Sequence, residues 1–288
     1  MNDFKVGFIG LGLIGGSIAK ALKYFYPDVH ITAHTRSIET ARYALSEGII
    51  DDACTEIGNA YGECDYIFLC APVEANVAYL QTLKPFLKED CILTDVGSAK
   101  PDIHEHINAL GMQKNFIGGH PMAGSEKTGI VNSKRHLLEN AYYVLTPTEE
   151  VSPDKVKRYE NLVQTIKALP LILDYREHDY VTAAISHLPH LIASSLVNLV
   201  KDSDNDRESM KTVAAGGFKD ITRIASSSPE MWEQICSTNR ENIITVLDNY
   251  INSLISVKIA LAEHDSHKIY ELFDTSRDYR NSISDVSR

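Results

Sequence analysis

The feature that most constrains this chain is Gly10-Leu11-Gly12-Leu13-Ile14-Gly15, set between an apolar, β-rich run over 4–9 and a stretch of helical character over 14–25. A glycine pattern of this kind is weak by itself; a strand before it and a helix after it make it specific. Gly10 permits the tight turn, Gly12 lets the backbone come close to a ligand, and Gly15 lets the helix lie close on the strand. The helix start offers unsatisfied N–H groups and the positive end of its dipole, which suits a pyrophosphate. The motif so placed predicts that residues 10–15, including Leu11, Leu13 and Ile14, hold a dinucleotide. The plainer alternative is a glycine-rich turn with no ligand.

Short apolar runs continue to alternate with helical stretches for about 175 residues. Strands are expected at 30–34, 65–71, 91–96, 141–145 and 169–173, with a helix at 38–46 that stops at Gly48. The run at 65–71 is almost continuously apolar, as a strand covered on both faces should be. Alternation of this kind implies a doubly wound parallel sheet of Rossmann type. Beyond Tyr175 the strand signals vanish, and helices are expected at 176–201, 207–226, 229–247 and 249–273, punctuated by Pro189, Gly216-Gly217 and Pro229. The polar tail 274–288 reads as loosely held. The fold class is therefore α/β, an N-terminal sheet domain over 1–175 followed by an all-α C-terminal domain over 176–288.

Composition narrows the partners. The chain has 288 residues, 44% hydrophobic and 23% charged, enough for full cores without covalent staples. Its five cysteines are odd in number and contain no CxxC pair, which argues against a disulfide framework or a structural zinc and fits a reducing cytoplasm. No secretory leader is read at 1–10, and no apolar run approaches the ~20 residues of a membrane span. A formal charge of −11 with no basic stripe disfavours nucleic acid. Any anionic ligand must then be held by a few placed cations or helix N-termini rather than by the overall field.

The end of the second strand ordinarily carries an acid for the adenosine ribose. Here the stretch is Ala33-His34-Thr35-Arg36-Ser37, without one. Arg36 between the hydroxyls of Thr35 and Ser37 suits a 2'-phosphate, so the reading leans from NAD to NADP. The alternative is that Arg36 is a solvated loop charge and NAD binds. Ala71 and Pro72, where the 65–71 strand ends, join the cofactor-binding set.

Four further clusters carry chemistry: residues 95–100 (Asp-Val-Gly-Ser-Ala-Lys), residues 118–126 (Gly-Gly-His-Pro-Met-Ala-Gly-Ser-Glu), residues 186–190 (Ser-His-Leu-Pro-His), and residues 216–223 (Gly-Gly-Phe-Lys-Asp-Ile-Thr-Arg) followed by Trp232. In this order behind an N-terminal glycine loop, over nearly the whole chain, they resemble the prephenate/arogenate dehydrogenase family of tyrosine biosynthesis. The resemblance implies oxidative decarboxylation of prephenate to 4-hydroxyphenylpyruvate with hydride transfer to NAD(P). Such chemistry needs an acceptor for the ring hydroxyl proton, a hydride-bearing carbon facing the nicotinamide, and a cation for the carboxylates.

His120 is the candidate base. Two glycines precede it, Pro121 favours extended backbone there, and imidazole titrates near neutrality. Its alternative is a buried, hydrogen-bonded histidine. Ser98 follows a strand; the resemblance makes it a partner of the substrate hydroxyl and of His120, while its position also suits the N-cap of the helix that Pro101 opens. His187 and His190 lie three apart with no third ligand at matching spacing, so no metal is expected. The resemblance makes His190 a catalytic substrate contact and His187 a neighbour of the nicotinamide; a packed helical histidine is the alternative for His187. Arg223 offers a planar fork for a carboxylate, or else pairs with Asp220 one turn earlier. By resemblance Asp220, Arg223, Glu126 and Trp232 form a network at a domain or subunit boundary, and Ser125 joins the substrate set.

The stretch 243–261 is more apolar than one helix stripe needs. It is either a buried core helix or, as the resemblance implies, part of a homodimer with the active site in the crevice between the domains. Three rivals remain: arogenate dehydrogenase, a β-hydroxyacid dehydrogenase, which would use a lysine in the helical domain, and a dinucleotide sensor without turnover.

Overall fold

Five strands lie side by side and all run the same way in the computed structural model, which describes residues 4–125 and 127–283. They are β1 (Lys5–Ile9), β2 (His30–His34), β3 (Asp52–Cys54), β4 (Tyr66–Leu69) and β5 (Ile92–Asp95), in the order β3-β2-β1-β4-β5. Val6 is in register with Ile31 on one side and Tyr66 on the other, so β1 is central. Every residue of β4 and β5 is buried, and Phe8 stacks on Phe68 with ring centroids 5.0 Å apart. The expected parallel, two-faced sheet is therefore present. The strand order turns outward on both sides of the β1/β4 junction, where sheets of this kind bind ligands beyond the carboxyl ends.

Crossover helices α1 (Leu13–Phe25), α2 (Ile38–Ser46), α3 (Val73–Leu83) and α4 (Pro101–Leu110) cover the sheet. Local chemistry sets their ends. The Ser37 hydroxyl accepts from Thr40 N and caps α2; Gly111, at φ +67°, ends α4 in the left-handed conformation that glycine adopts without strain.

Past β5 the parallel pattern stops. β6 (Ile117–Pro121) pairs antiparallel with β7 (Tyr142–Pro147), and β7 pairs parallel with β8 (Leu169–Ile172), reached through α5 (Pro153–Thr165). A single parallel bridge from Leu93 to Phe116 joins the two ladders. The parallel sheet of Rossmann type is present in β1–β5, but the 141–145 strand, read with the others, turns back on β6. Neither β3 nor β6 is announced by an apolar run. β3 is three residues at an edge, and β6 reads Ile-Gly-Gly-His-Pro.

A boundary between Asp179 and Tyr180 separates this unit from a second, helical one. α6 (Tyr175–Thr182) runs across it, then a π-helical turn over Ala183–His187 leads into α7 (Leu188–Ser203), whose first turn holds Pro189. Proline has no N–H to donate to the preceding turn, and the backbone widens there rather than breaking. α8 (Ser209–Val213), α9 (Gly216–Thr222), α10 (Pro229–Thr238), α11 (Arg240–Ala262) and α12 (Ser266–Ser282) complete it. The single helix expected over 207–226 is broken at the 214–215 link before Gly216-Gly217. The break expected near 248 is absent, since nothing there punctuates α11, and the breaks fall instead at Asn239 and at 263–265. The tail is ordered further than its polarity implies: α12 carries helix to Ser282, with Asp265 capping its start through Lys268 N.

Two helical stretches, Tyr175–Ser203 and Arg240–Ala262, are long and apolar enough by length and composition to cross a membrane. The expectation of none overlooked them because isolated polar residues interrupt each apolar run. Buried residues of α11 are confined to Ile243, Val246 and Ala260, while Ile244, Ile251, Leu254, Ile255, Ile259 and Leu261 are exposed.

Within the first unit His104 illustrates what burial does to a titratable group. Its Nε2 lies 3.0 Å from Thr146 Oγ1, and its ring stacks on Tyr175 at 4.3 Å. Burial pushes its pKa down to about 4, against the opposing pull of Asp95. Because the folded value lies below the unfolded one, the stability this neutral histidine contributes is present above about pH 6.5 and is lost as pH falls toward 4. The loss is on the order of 3 kcal/mol. His104→Gln is expected to flatten the stability profile over that window in denaturant titrations; an unchanged slope would assign the acid sensitivity elsewhere.

Candidate functional site

At the carboxyl end of β1 the chain turns at Gly10, with φ +93°. Gly10 N donates to His34 O at 2.8 Å and Cys70 N to Ile9 O at 2.7 Å, so the three strand ends are tied together. A Cβ on Gly10 would lie 2.8 Å from Ala71 N, and one on Gly15 2.9 Å from Gly10 O. Those two glycines serve packing. Gly12 differs: a Cβ there would meet nothing within 4 Å. It stands at the N-cap of α1, where no side chain caps the helix, so the first-turn N–H groups are left for solvent or a ligand. A cradle of this shape fits a pyrophosphate.

The loop after β4 abuts this turn and is held rigidly. Asn76, buried on α3, accepts from Ala71 N at 3.2 Å and donates to Ala71 O at 2.9 Å, and Pro72 opens α3. Sequence reasoning selected Ala71 and Pro72 but not the Asn76 clamp. At the end of β2, Arg36 is exposed and has no ion pair among the described residues. The Ser37 hydroxyl is less available than expected: it caps α2 and also donates to Glu39 at 2.9 Å, which helps hold that carboxyl below its ordinary value, after the stronger effect of backbone hydrogen bonding. Thr35 lies between, half-buried.

His120 sits in β6 opposite Val144. Its Nδ1 is 2.8 Å from His178 Nε2, and His178 Nδ1 is 2.7 Å from Asp179 Oδ1. A carboxylate only accepts, so His178 donates through Nδ1 and accepts at Nε2. His120 must then donate from Nδ1, which makes Nε2 its basic nitrogen. His178 and Asp179 are both fully buried. Neither was selected from sequence; adjacent polar residues at the start of a helix look like solvated surface.

Beneath His120 lies a buried ion pair of Lys100 Nζ with Asp95 Oδ2. Asp95 also accepts from Gly97 N at 2.8 Å and Gly119 N at 3.2 Å, and Lys100 Nζ donates to Gly119 O at 2.7 Å. Lys100 N donates to Asp179 Oδ1 at 2.9 Å. Ser98 stands on this turn, half-buried, and makes no hydrogen bond with a described residue, His120 included. It does not cap α4 either: Lys100, two residues further on, fills the cap position and makes no side-chain bond there. Ser125 is exposed, its Oγ accepting from Lys127 N at 3.2 Å; Glu126 lies outside the described residues.

In the helical unit two histidines of different character stand where the π-helical turn passes into α7. His187 is buried, its Nδ1 accepting from Asn239 at 3.2 Å and its ring edge-on to Trp232. His190 stacks on Trp232, centroids 4.0 Å apart, and donates from Nδ1 to Ser186 O at 2.8 Å. Burial lowers the His190 pKa, the Ser186 bond works against that, and the nearby Arg223 charge adds to the lowering. His190 is thus a neutral ring with Nε2 as acceptor, close to a guanidinium. Arg223 opens a 3-10 turn and is exposed; the Asp220–Arg223 pair raised as an alternative does not form. Asp220 instead points back toward Gly216.

Comparisons with known proteins bear on the whole chain. Residues 18–170 match the family described as prephenate dehydrogenase, nucleotide-binding domain, and residues 174–275 match prephenate dehydrogenase, dimerization domain. The prephenate dehydrogenase of Bacillus subtilis is 38% identical over 287 residues, 98% of this chain and 77% of that relative. Among solved structures, Aquifex aeolicus prephenate dehydrogenase in complex with hydroxyphenyl propionate and NAD+ superposes with a TM-score of 0.90 at 31% identity, covering 99% of each chain. Synechocystis arogenate dehydrogenase does so at 0.86 and 28%, covering 96% of this chain and 99% of that one. Both halves of the chain and both of its folds agree with these matches, and the chain belongs to the prephenate dehydrogenase family.

Proposed function

We propose that this chain is an NAD(P)-dependent prephenate dehydrogenase in which His120 takes the proton of the ring hydroxyl. The observation that carries the assignment of His120 is its hydrogen-bonded line to His178 and Asp179, which fixes the tautomer with Nε2 basic. The same line steadies the imidazolium once the proton has moved, because the Asp179 charge is two hydrogen bonds away. Ser98, with its hydroxyl uncommitted, orients the substrate hydroxyl. Arg223 holds a carboxylate through its planar fork, and His190, neutral with Nε2 as acceptor, contacts the substrate beside it. A bound nicotinamide would supply the acceptor for the hydride on the carbon that bears the hydroxyl. The ring carboxylate then leaves as CO2, its bonding electrons making the ring aromatic, and the oxygen recovers a proton. His187 and Trp232 shape the surroundings of His190, with Asp220, Ser125 and Glu126 in the outer substrate set.

Residues 10–15 hold the pyrophosphate, with Ala71 and Pro72 beside them. The choice of cofactor turns on Thr35, Arg36 and Ser37. The uncommitted Arg36 guanidinium favours NADP, and the Glu39 carboxylate one helical turn away opposes a 2'-phosphate. NADP is therefore preferred by a small margin and NAD is also used. The exposed apolar side of α11 is covered by a second copy of the chain, in keeping with the match of residues 174–275 to a dimerization domain, and the enzyme is a cytoplasmic homodimer.

Turnover of prephenate and of arogenate, each with NAD and NADP, followed by the absorbance of the reduced nicotinamide, tests the assignment; no reduction with either acid would refute it. Four variants sharpen it. His120→Asn is expected to lower kcat by about 10²- to 10⁴-fold with little change in KM, and normal turnover would remove His120 as the base. Arg223→Ala should raise KM for the acid by roughly 10- to 100-fold; an unchanged KM would take it out of the substrate site. The glycines separate by mechanism. Gly12→Ala leaves melting unchanged but weakens dinucleotide binding by about tenfold or more, since its methyl enters ligand space. Gly10→Ala destabilises the fold by about 2 kcal/mol or more, from its positive φ and the clash with Ala71. Equal effects of the two on melting would overturn this division.

A further inference from the structure

We propose that the buried Lys100–Asp95 ion pair is a positioning device that fixes Ser98 and His120 relative to one another; the inference rests on the reading of those two residues as catalytic. The pair grips both backbone groups of Gly119, the residue before His120: Asp95 takes the N–H and Lys100 donates to the carbonyl. Gly119 is pressed so closely against β5 that a Cβ there would lie 2.7 Å from Asp95 O. The same pair pins the turn that carries Ser98 from both sides. Asp95 accepts from Gly97 N, one residue before it, and Lys100, two residues after it, donates its own N–H to Asp179.

Asp179 closes the circuit. The oxygen that accepts from Lys100 N also accepts from His178 Nδ1, and His178 meets His120 Nδ1. His120 is therefore held through its backbone by the Lys100 ammonium and through its ring by the Lys100 amide. Lys100 itself has no exposed surface, so it is no substrate-binding cation. It acts by placing the groups that are.

A purely structural ion pair can be replaced by neutral side chains of similar shape with little loss. This one cannot be replaced without loss of turnover, because no apolar side chain reproduces the bond to Gly119 O. The test is a set of three variants, Lys100→Met, Asp95→Asn and Asp95→Asn/Lys100→Met, read by melting, by steady-state kinetics with prephenate and NAD(P), and by imidazole ¹⁵N chemical shifts. Lys100→Met alone leaves Asp95 buried without its counter-ion and is expected to melt early or not fold. The double variant removes both charges and regains stability. It should lose roughly 10- to 100-fold in kcat, with KM for acid and cofactor within about threefold of the parent. Its His120 signals should shift from one fixed tautomer toward an average of two. Asp95→Asn keeps the shape of the site but leaves the Lys100 ammonium without its counter-ion, so it too should melt below the double variant, with a kcat between those of the parent and the double variant. Parental kcat in any folded member of the set overturns the proposal, and so does a loss confined to KM. The ¹⁵N shifts report the clamp without turnover, so normal kinetics in His120→Asn would sink the functional reading while leaving the clamp itself measurable.

Discussion

A carboxylate sealed inside a sheet domain must be surrounded by donors, and the first unit is arranged to meet that demand at Asp95. Removing such a charge from water costs several kcal/mol unless its lone pairs are filled. The donors come from Gly97, Lys100 and Gly119. Two of these lie on the turn after β5 and one on β6, so satisfying one side chain aligns two strand ends. This explains why β6 lies beside β5 although only one backbone bridge joins them. It also explains the pair of glycines before His120. A Cβ on Gly119 would collide with β5, and one on Gly118 with the Thr146 hydroxyl, so the strand could not come within reach of the pair.

The glycine loop and the polar clamp are complementary solutions to one problem, the placing of backbone near a ligand. At Gly12 the sequence announces the solution, because a missing side chain beside a strand and a helix has few other meanings. At Asp95 and Lys100 it does not, because a charged residue in a short motif reads as a ligand contact as easily as a buried brace. Strand existence was legible wherever an apolar run is continuous, as in β4 and β5. It was hidden in β6, whose glycines are required by close packing and carry no hydrophobic signal. The reversal of β7 was invisible for a related reason: alternation of strands and helices specifies a layered sheet, while the direction of a late strand is decided by which edge remains open. His178 and Asp179 were passed over because their meaning is tertiary. Only the fold brings the pair under His120.

The helical unit shows the opposite limit. Its helices were legible by period, but their breaks were not. Asn239 ends one helix and begins another without proline or glycine, and the π-helical turn before Pro189 has no signature beyond the proline itself. The two histidines follow as that turn passes into α7. Three residues apart in a regular helix they share one face, and both rings meet Trp232. His187 meets the indole edge-on while buried against Asn239, and His190 stacks on its plane. Burial first, and the nearby guanidinium after it, keep His190 neutral, so one ring accepts hydrogen bonds while its neighbour Arg223 supplies the charge.

The net charge of −11 gives these placements their weight. A dianionic acid and a dinucleotide approach a protein that repels them at long range, so attraction must come from groups within a few ångströms. Lys100 cannot contribute, since its charge is matched by Asp95 in the interior. In the proposed assignment that attraction falls to the start of α1 for the pyrophosphate, Arg36 at the end of β2, and Arg223 in the helical unit. Each is a single cationic or dipolar element with specific geometry rather than a basic patch. The same logic applies to the proposed base: His120 is joined to a buried carboxylate two hydrogen bonds away, so that an imidazolium formed there would be steadied by Asp179 from inside the fold.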